Sequence, residues 1–374
     1  MGALATGHGE VVFNTSMTGY QEVLTDPSYA GQLVTLTYPL VGNYGINPQD
    51  FESAKIRVAG LIVREHCDRP SHGQSDRTLD EYLKAQNIPG ICGVDTRAIT
   101  RRLRQHGVMM GLLTTESPEA AVAQLAEMPR YDDQDLVRTV TTEAQYRWDG
   151  EPVTLEALPL TASGNISRPT LVVGSPGENS GETQEPRPRI LVTDVGVKYN
   201  ILRLLQERGC EVIAMPAATS AEDMLAMNPS GILLSPGPGD PQLLDYVVDN
   251  VRQVLGRVPV MGICLGHQLV ARALGGQTYK LPFGHRGGNH PVQDMSSGRV
   301  YITAQNHGFA VDPDTLPAGL EVSHINLNDG TVEGTRHRDM PLFTIQYHSE
   351  ASPGPRDNEY IFDQFLGMVK EFNH

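Results

Sequence analysis

The chain has 374 residues, 20% of them charged and 39% hydrophobic, with a formal net charge of -15 at pH 7, which fits an ordinary globular protein of two or three domains. That charge argues against nonspecific nucleic-acid binding, since the basic residues are scattered apart from Arg101, Arg102 and Arg104, which one exposed helix face explains. No apolar run approaches the ~18 residues of a membrane span, and the four cysteines (Cys67, Cys92, Cys210, Cys264) are too widely spaced for a disulfide framework, so a reducing cytoplasm is expected.

The start, Met1-Gly-Ala-Leu-Ala-Thr6, has no basic stretch followed by a hydrophobic one, as a secretion signal requires. It matches the myristoylation pattern M-G-x-x-x-[ST]; we read this as coincidence, because no polybasic segment follows and one acyl chain anchors only marginally. Strands are expected at Glu10–Thr15, Gln32–Thr37 and Ile56–Arg64, and a helix at Thr78–Lys84. A second helix follows Asp95, an N-cap candidate; Leu112 closes a further strand; Ser117-Pro-Glu starts a helix running to about Met128. Residues 1–150 therefore read as a mixed α/β domain. Residues 151–188 read as a linker or mobile surface segment, with few residues to bury from about Ala162 and one short strand at Thr170–Val173.

Residues 189–374 are more regular. Apolar runs at Ile190–Asp194, Glu211–Met215, Gly231–Leu234 and Val258–Ile263 alternate with helical segments at Lys198–Gly209, Ala221–Met227 and Asp245–Leu255. This alternation predicts a parallel, doubly wound sheet, whose ligands sit at the carboxyl ends of its strands. The remainder reads as antiparallel (Arg299–Thr303, Glu321–Ile325, Leu342–Tyr347) before a helix at about Glu359–Phe372.

The fourth of these runs ends in Gly262-Ile-Cys-Leu-Gly266. This is the cysteine form of the G-x-S-x-G elbow, in which a sharp strand-to-helix turn lifts a nucleophile clear of the sheet. The glycines let the backbone turn tightly, and the helix N-terminus favours thiolate over thiol. A buried core cysteine is the competing reading; a metal pair with His267 lacks a C-x-x-C to complete it. A cysteine nucleophile needs a base and a group to orient that base. His348 and Glu350, two apart at a predicted strand end, offer both on one side of the chain, although an outward-facing H-x-E on a surface strand is common. Gly237-Pro-Gly239 serves as a turn or as a source of N–H groups for an oxyanion. Gln305-Asn-His-Gly-Phe309 is a plain loop or a holder of an amide. There is no G-K-[ST] P-loop and no G-x-G-x-x-G after a strand.

Together, Ser235-Pro-Gly-Pro-Gly-Asp-Pro241, Gly262-Ile-Cys-Leu-Gly-His-Gln268 and Tyr347-His-Ser-Glu350 resemble the three signatures of the class I (triad) glutamine amidotransferases, in their order. Asn14–Tyr29, Leu36–Gly45, Asp95-Thr-Arg97, Gly284–Val292 and His348–Pro355 are similar to the small, glutamine-hydrolysing chain of carbamoyl-phosphate synthetase. The resemblance covers nearly the whole chain except the linker. It implies an N-terminal small-chain domain followed by a doubly wound amidotransferase domain. It also implies a Cys264–His348–Glu350 triad, an oxyanion hole from the N–H groups of Gly237 and Leu265, and glutamine held by Ser28, Gly239, Gln268, Asn306, Gly308 and Phe309. L-glutamine is the implied substrate and a large chain the implied partner; that chain would use ATP and a divalent metal, leaving no cofactor here, and would receive ammonia through an internal channel. The implied product serves pyrimidine and arginine synthesis. Two departures stand out. The family carries a further strand pair ahead of Gly9, whose lack is expected to weaken the first domain or its contact with the partner. The linker is also longer and more polar than the family's. Some relatives replace the cysteine with serine and lose glutaminase activity; Cys264 predicts an active chain. Amidotransferase subunits of other synthases lack the first domain, and the other reading carried forward is a non-catalytic scaffold on the same fold.

Overall fold

The computed structural model describes residues 1–154 and 187–373. The first part runs β1 (Gly7–Asn14), α1 (Tyr20–Thr25), β2 (Gln32–Leu36), β3 (Leu40–Val41), β4 (Gly60–Ile62), β5 (Glu65–His66), α2 (Leu79–Ala85), β6 (Gly90–Ile91), α3 (Thr96–His106), β7 (Met109–Leu113), α4 (Pro118–Glu127) and α5 (Val137–Val140). Its sheet has the order β6-β4-β2-β1-β7, parallel except for β7. The helix starts follow local chemistry. The side chains of Thr78, Asp95 and Ser117 accept from the N–H groups of Glu81, Ala98 and Ala120, and Thr78 with Glu81 completes a capping box. Val12, Leu24, Val34, Leu61 and Leu83 form the core.

The second sheet begins before the expected boundary at residue 150. β8 (Tyr146–Trp148) pairs antiparallel with β11 (Glu211–Pro216), and β9 (Pro152–Thr154) pairs with β8. A cut at 150 would divide this hairpin, and residues 152–154 are strand, not linker. Buried Trp148 and Tyr146, packed in the second core, explain the placement. The rest of the expected linker, including Thr170–Val173, lies outside the described residues.

From residue 189 the chain forms β10 (Arg189–Asp194), α6 (Tyr199–Glu207), β11, α7 (Ala221–Ala226), β12 (Gly231–Leu234), α8 (Asp245–Val254), β13 (Val260–Ile263) and α9 (Leu265–Ala273). It continues with β14 (Thr278–Asp294), β15 (Val300–Val311), β16 (Leu320–Asn326), β17 (Val332–His337), β18 (Leu342–Ile345) and α10 (Tyr360–Phe372). The sheet order is β15-β14-β16-β17-β18-β13-β12-β10-β11-β8-β9. Its central strands, β18-β13-β12-β10-β11, are parallel. They are apolar on both faces and lie between two cores, as a covered parallel sheet requires.

Two expectations change. Leu342–Tyr347 is not purely antiparallel: β18 runs parallel to β13 and antiparallel to β17. The 17-residue β14 was not expected; register shifts after Lys280 and after Gly287 break its alternation. Among the described residues no helix is long and apolar enough to cross a membrane.

Candidate active site

Cys264 lies between β13 and α9 at φ 52, ψ -105, a left-handed conformation that non-glycine residues rarely hold outside strained functional turns. The flanking glycines serve the turn itself. A Cβ on Gly262 would lie 2.7 Å from the backbone of Gly266, and one on Gly266 would lie 2.2 Å from the carbonyl oxygen of Leu234. Gly266→Ala is therefore expected to abolish accumulation of folded protein, because backbone atoms on both sides must move; soluble, wild-type-like melting would contradict this packing.

The Cys264 Sγ lies 3.6 Å from the Asn306 carbonyl oxygen. His348 Nδ1 donates to Glu350 Oε1 at 2.6 Å, and its buried Nε2 has no hydrogen-bond partner among the described residues. The pair forms differently from the expected strand alternation. β18 ends at Ile345, and Ser349 and Glu350 form a turn that is followed by left-handed Ala351 and Ser352. The Ala351 N–H donates to the His348 carbonyl at 3.1 Å, and the His348 N–H donates to Ala304 at 2.9 Å.

Glu350 has a second, buried partner, Lys198, whose Nζ lies 3.1 Å from Oε1 and also donates to the Ala351 carbonyl. Burial alone would raise the Glu350 carboxyl. The Lys198 ammonium, then His348, overcome it and hold the carboxyl at about 2. Burial alone would lower the imidazole; the Glu350 carboxylate and then Cys264 reverse this and raise it to about 10. The signs fix a stability window. The histidine contribution is complete below its ordinary 6.5 and is lost as pH rises through about 10. The carboxylate contribution is complete above 4.5 and is lost as pH falls through about 2. The thermal advantage of wild type over His348→Gln is thus expected to be largest near pH 5–6.5 and to shrink steadily toward pH 10. An advantage constant up to pH 10 would contradict the raised imidazole.

Beside the sulfur is a cleft of about 320 Å³, whose lining includes Ser28, Gly237, Gly239, Gln268, Asn306, Gly308 and Phe309. The backbone N–H groups of Gly237 and Leu265 make no backbone hydrogen bond among the described residues; Leu265 opens α9 behind the sulfur. The Ser28 hydroxyl is buried without a hydrogen-bond partner among the described residues. Asp26 ties two walls together, accepting from the Ser28 N–H at 2.9 Å and from Asn306 Nδ2 at 3.1 Å. Gln268 Nε2 donates to the Phe309 carbonyl at 2.8 Å and to Gln346 Oε1 at 3.0 Å. Tyr131 also lines the cleft, its hydroxyl accepting from the Gly239 N–H at 3.0 Å.

The sequence reading missed Lys198, Asp26 and Tyr131. Only Lys198 left a trace, as a lysine at a helix N-cap, where Ser, Thr, Asp or Asn is preferred. His285, His307 and Glu333 bring potential metal-ligand atoms within 4.8 Å of one another. They are also joined to their surroundings by hydrogen bonds. His285 pairs with Asp329 (2.8 Å), His307 Nε2 with Gln305 (2.9 Å), and Glu333 accepts from Gln305 (2.9 Å) and Asn326 (2.8 Å).

A family model described as Glutamine amidotransferase class-I matches residues 191–368, and one described as Carbamoyl-phosphate synthase small chain, CPSase domain, matches residues 1–113. The carbamoyl phosphate synthase small chain of Syntrophotalea carbinolica is 49% identical over 372 residues, covering 99% of this chain and 94% of that one. The chain belongs to the carbamoyl-phosphate synthase small chain family. Other members of similar likeness are the small chains of Symbiobacterium thermophilum (48% identical, 98% of this chain, 94% of that one) and Bacillus caldolyticus (48%, 100% and 93%). In this small chain the cysteine turn and the His348 turn lie within the amidotransferase match, whereas Ser28 and Asp26 come from the first-domain match.

Proposed function

We propose that this chain hydrolyses the side-chain amide of glutamine to glutamate and ammonia and supplies the ammonia to a large chain that makes carbamoyl phosphate. One observation carries the reading: His348 is tied to Glu350 through Nδ1, which leaves its buried Nε2 for Cys264, itself a lining residue of the cleft that Ser28, Gly239, Gln268 and Asn306 share. His348 Nε2 holds the proton taken from Cys264, and the resulting thiolate Sγ attacks the amide carbon. The N–H groups of Gly237 and Leu265 stabilise the oxyanion. His348 then protonates the departing nitrogen, the C–N bond breaks, and ammonia leaves a thioester on Cys264. Water, deprotonated by His348, attacks the thioester, which releases glutamate and restores the thiol. Ser28, Gly239, Gln268, Asn306, Gly308 and Phe309 hold the substrate.

The steps need a nucleophile, a base and water, so ATP and a divalent metal are assigned to the large chain. A second pocket, whose lining includes His348, Asn306, Ala304 and Pro353, shares Asn306 with the cleft, and the passage of ammonia to the large chain belongs to the same reading. A cytoplasmic location and service to pyrimidine and arginine synthesis belong to the same reading. No observation favours the scaffold alternative, because the three triad side chains are present and two are already paired.

With the large chain present, glutamine, bicarbonate and ATP are expected to give carbamoyl phosphate with wild type. The Cys264→Ser complex should do so only when ammonium replaces glutamine. Equal inertness of both proteins toward glutamine would overturn the proposal.

A further inference from the structure

The start of α6 is poorly suited to its position. Its N-cap is Lys198, which provides no side-chain cap, and a cation there opposes the helix dipole. Yet this turn carries two side chains that hold Glu350: Lys198 Nζ lies 3.1 Å from the carboxylate Oε1, and Asn200 Nδ2 donates to the main-chain carbonyl at 2.6 Å. The missing cap comes from the first domain. The Glu52 carbonyl accepts from the Tyr199 N–H at 2.9 Å, and its Oε2 accepts from the Asn200 N–H at 3.0 Å. Glu52 Oε1 pairs with Arg203 Nη1 at 3.1 Å one turn along, and Arg203 Nη2 donates to the Phe51 carbonyl at 2.8 Å. The Glu52 side chain is 1% exposed, so no water can substitute for it from outside.

We propose that Glu52 is a positioning residue of the hydrolytic site, a helix cap supplied across the domain boundary that fixes Lys198 and Asn200 and, through them, Glu350 and His348. The buried ammonium supports this. Burial disfavours its charge, and three carboxylates favour it, Glu350 first, then Asp26 and Glu52, the last two from the first domain. Glu52 touches neither the substrate cleft nor the sulfur. It joins the first domain to the catalytic machinery at a point separate from Ser28, so a shift of that domain reaches the triad through α6 as well as through the cleft wall. The inference rests on the proposed glutaminase reading.

The test uses the full chain, with steady-state glutaminase kinetics and thermal melting of wild type, Glu52→Gln and Glu52→Ala. Removing the cap loosens Glu350 without touching the glutamine contacts. Glu52→Ala should therefore lower kcat by about tenfold or more, since small misplacements of catalytic groups are costly, and leave KM within about twofold. Glu52→Gln keeps one acceptor for the Asn200 N–H and should fall between the alanine variant and wild type. If Glu52→Ala does not fold, Glu52→Gln and Arg203→Met decide, both with reduced kcat and near-normal KM. A lowered melting temperature with unchanged kcat, or a raised KM alone, would assign Glu52 a purely structural or a binding role and overturn the proposal. Wild type without glutaminase activity would instead overturn the functional reading on which it rests.

Discussion

Cys264→Ser is expected to lower glutamine hydrolysis by at least about a thousandfold, the scale seen when the nucleophile of a triad is removed. The substitution is nearly isosteric, and the left-handed backbone at residue 264 is imposed by close packing of Gly262 and Gly266, not by the sulfur. The fold and glutamine binding should therefore survive, and the deficit should appear in kcat and not in KM. A hydroxyl placed beside His348 Nε2 is a much poorer nucleophile than a thiolate at neutral pH. A serine variant retaining a tenth of the activity would mean that another group attacks the amide.

Lys198→Met is expected to cost about 3–5 kcal/mol, because it removes the buried ammonium beside the Glu350 carboxylate and leaves His348 alone to balance it. For a domain of this size that is a melting shift on the order of 10 °C. Activity should fall as well, since Glu350 loses the ammonium that fixes it and then orients His348 less firmly. The double variant Lys198→Met, Glu350→Gln separates the two effects. With both charges gone the carboxylate left without its ammonium is also gone, so much of the lost stability should return while activity does not. Additive losses of stability would show that the two side chains do not act as a pair, against their 3.1 Å separation.

The parallel half of the second sheet was legible in the sequence because strands such as Ile190–Asp194 and Gly231–Leu234 are apolar on both faces and alternate with helical segments. β14 was not. It carries two bulges, two prolines and three glycines within 17 residues, so no period of two survives. The hairpin of Tyr146–Thr154 was assigned to the wrong side of the boundary because its partner, β11, lies some sixty residues later, which only tertiary packing reveals.

The triad was legible because each member sits in a short local pattern. The groups around it were not: Lys198 reaches Glu350 from a remote segment, Glu52 reaches α6, and Asp26 and Tyr131 reach the cleft wall. Local reading misjudged one cause and judged another correctly: His348 and Glu350 meet through a tight turn, not through strand alternation, whereas the glycines beside Cys264 do permit its close turn.

The decisive measurement is mass spectrometry of the acid-quenched chain during turnover of glutamine. Wild type should carry a glutamyl group on the peptide containing Cys264, an adduct absent from Cys264→Ser and from samples without glutamine. Steady release of ammonia with no such acyl group, or with the acyl group on another residue, would contradict the mechanism.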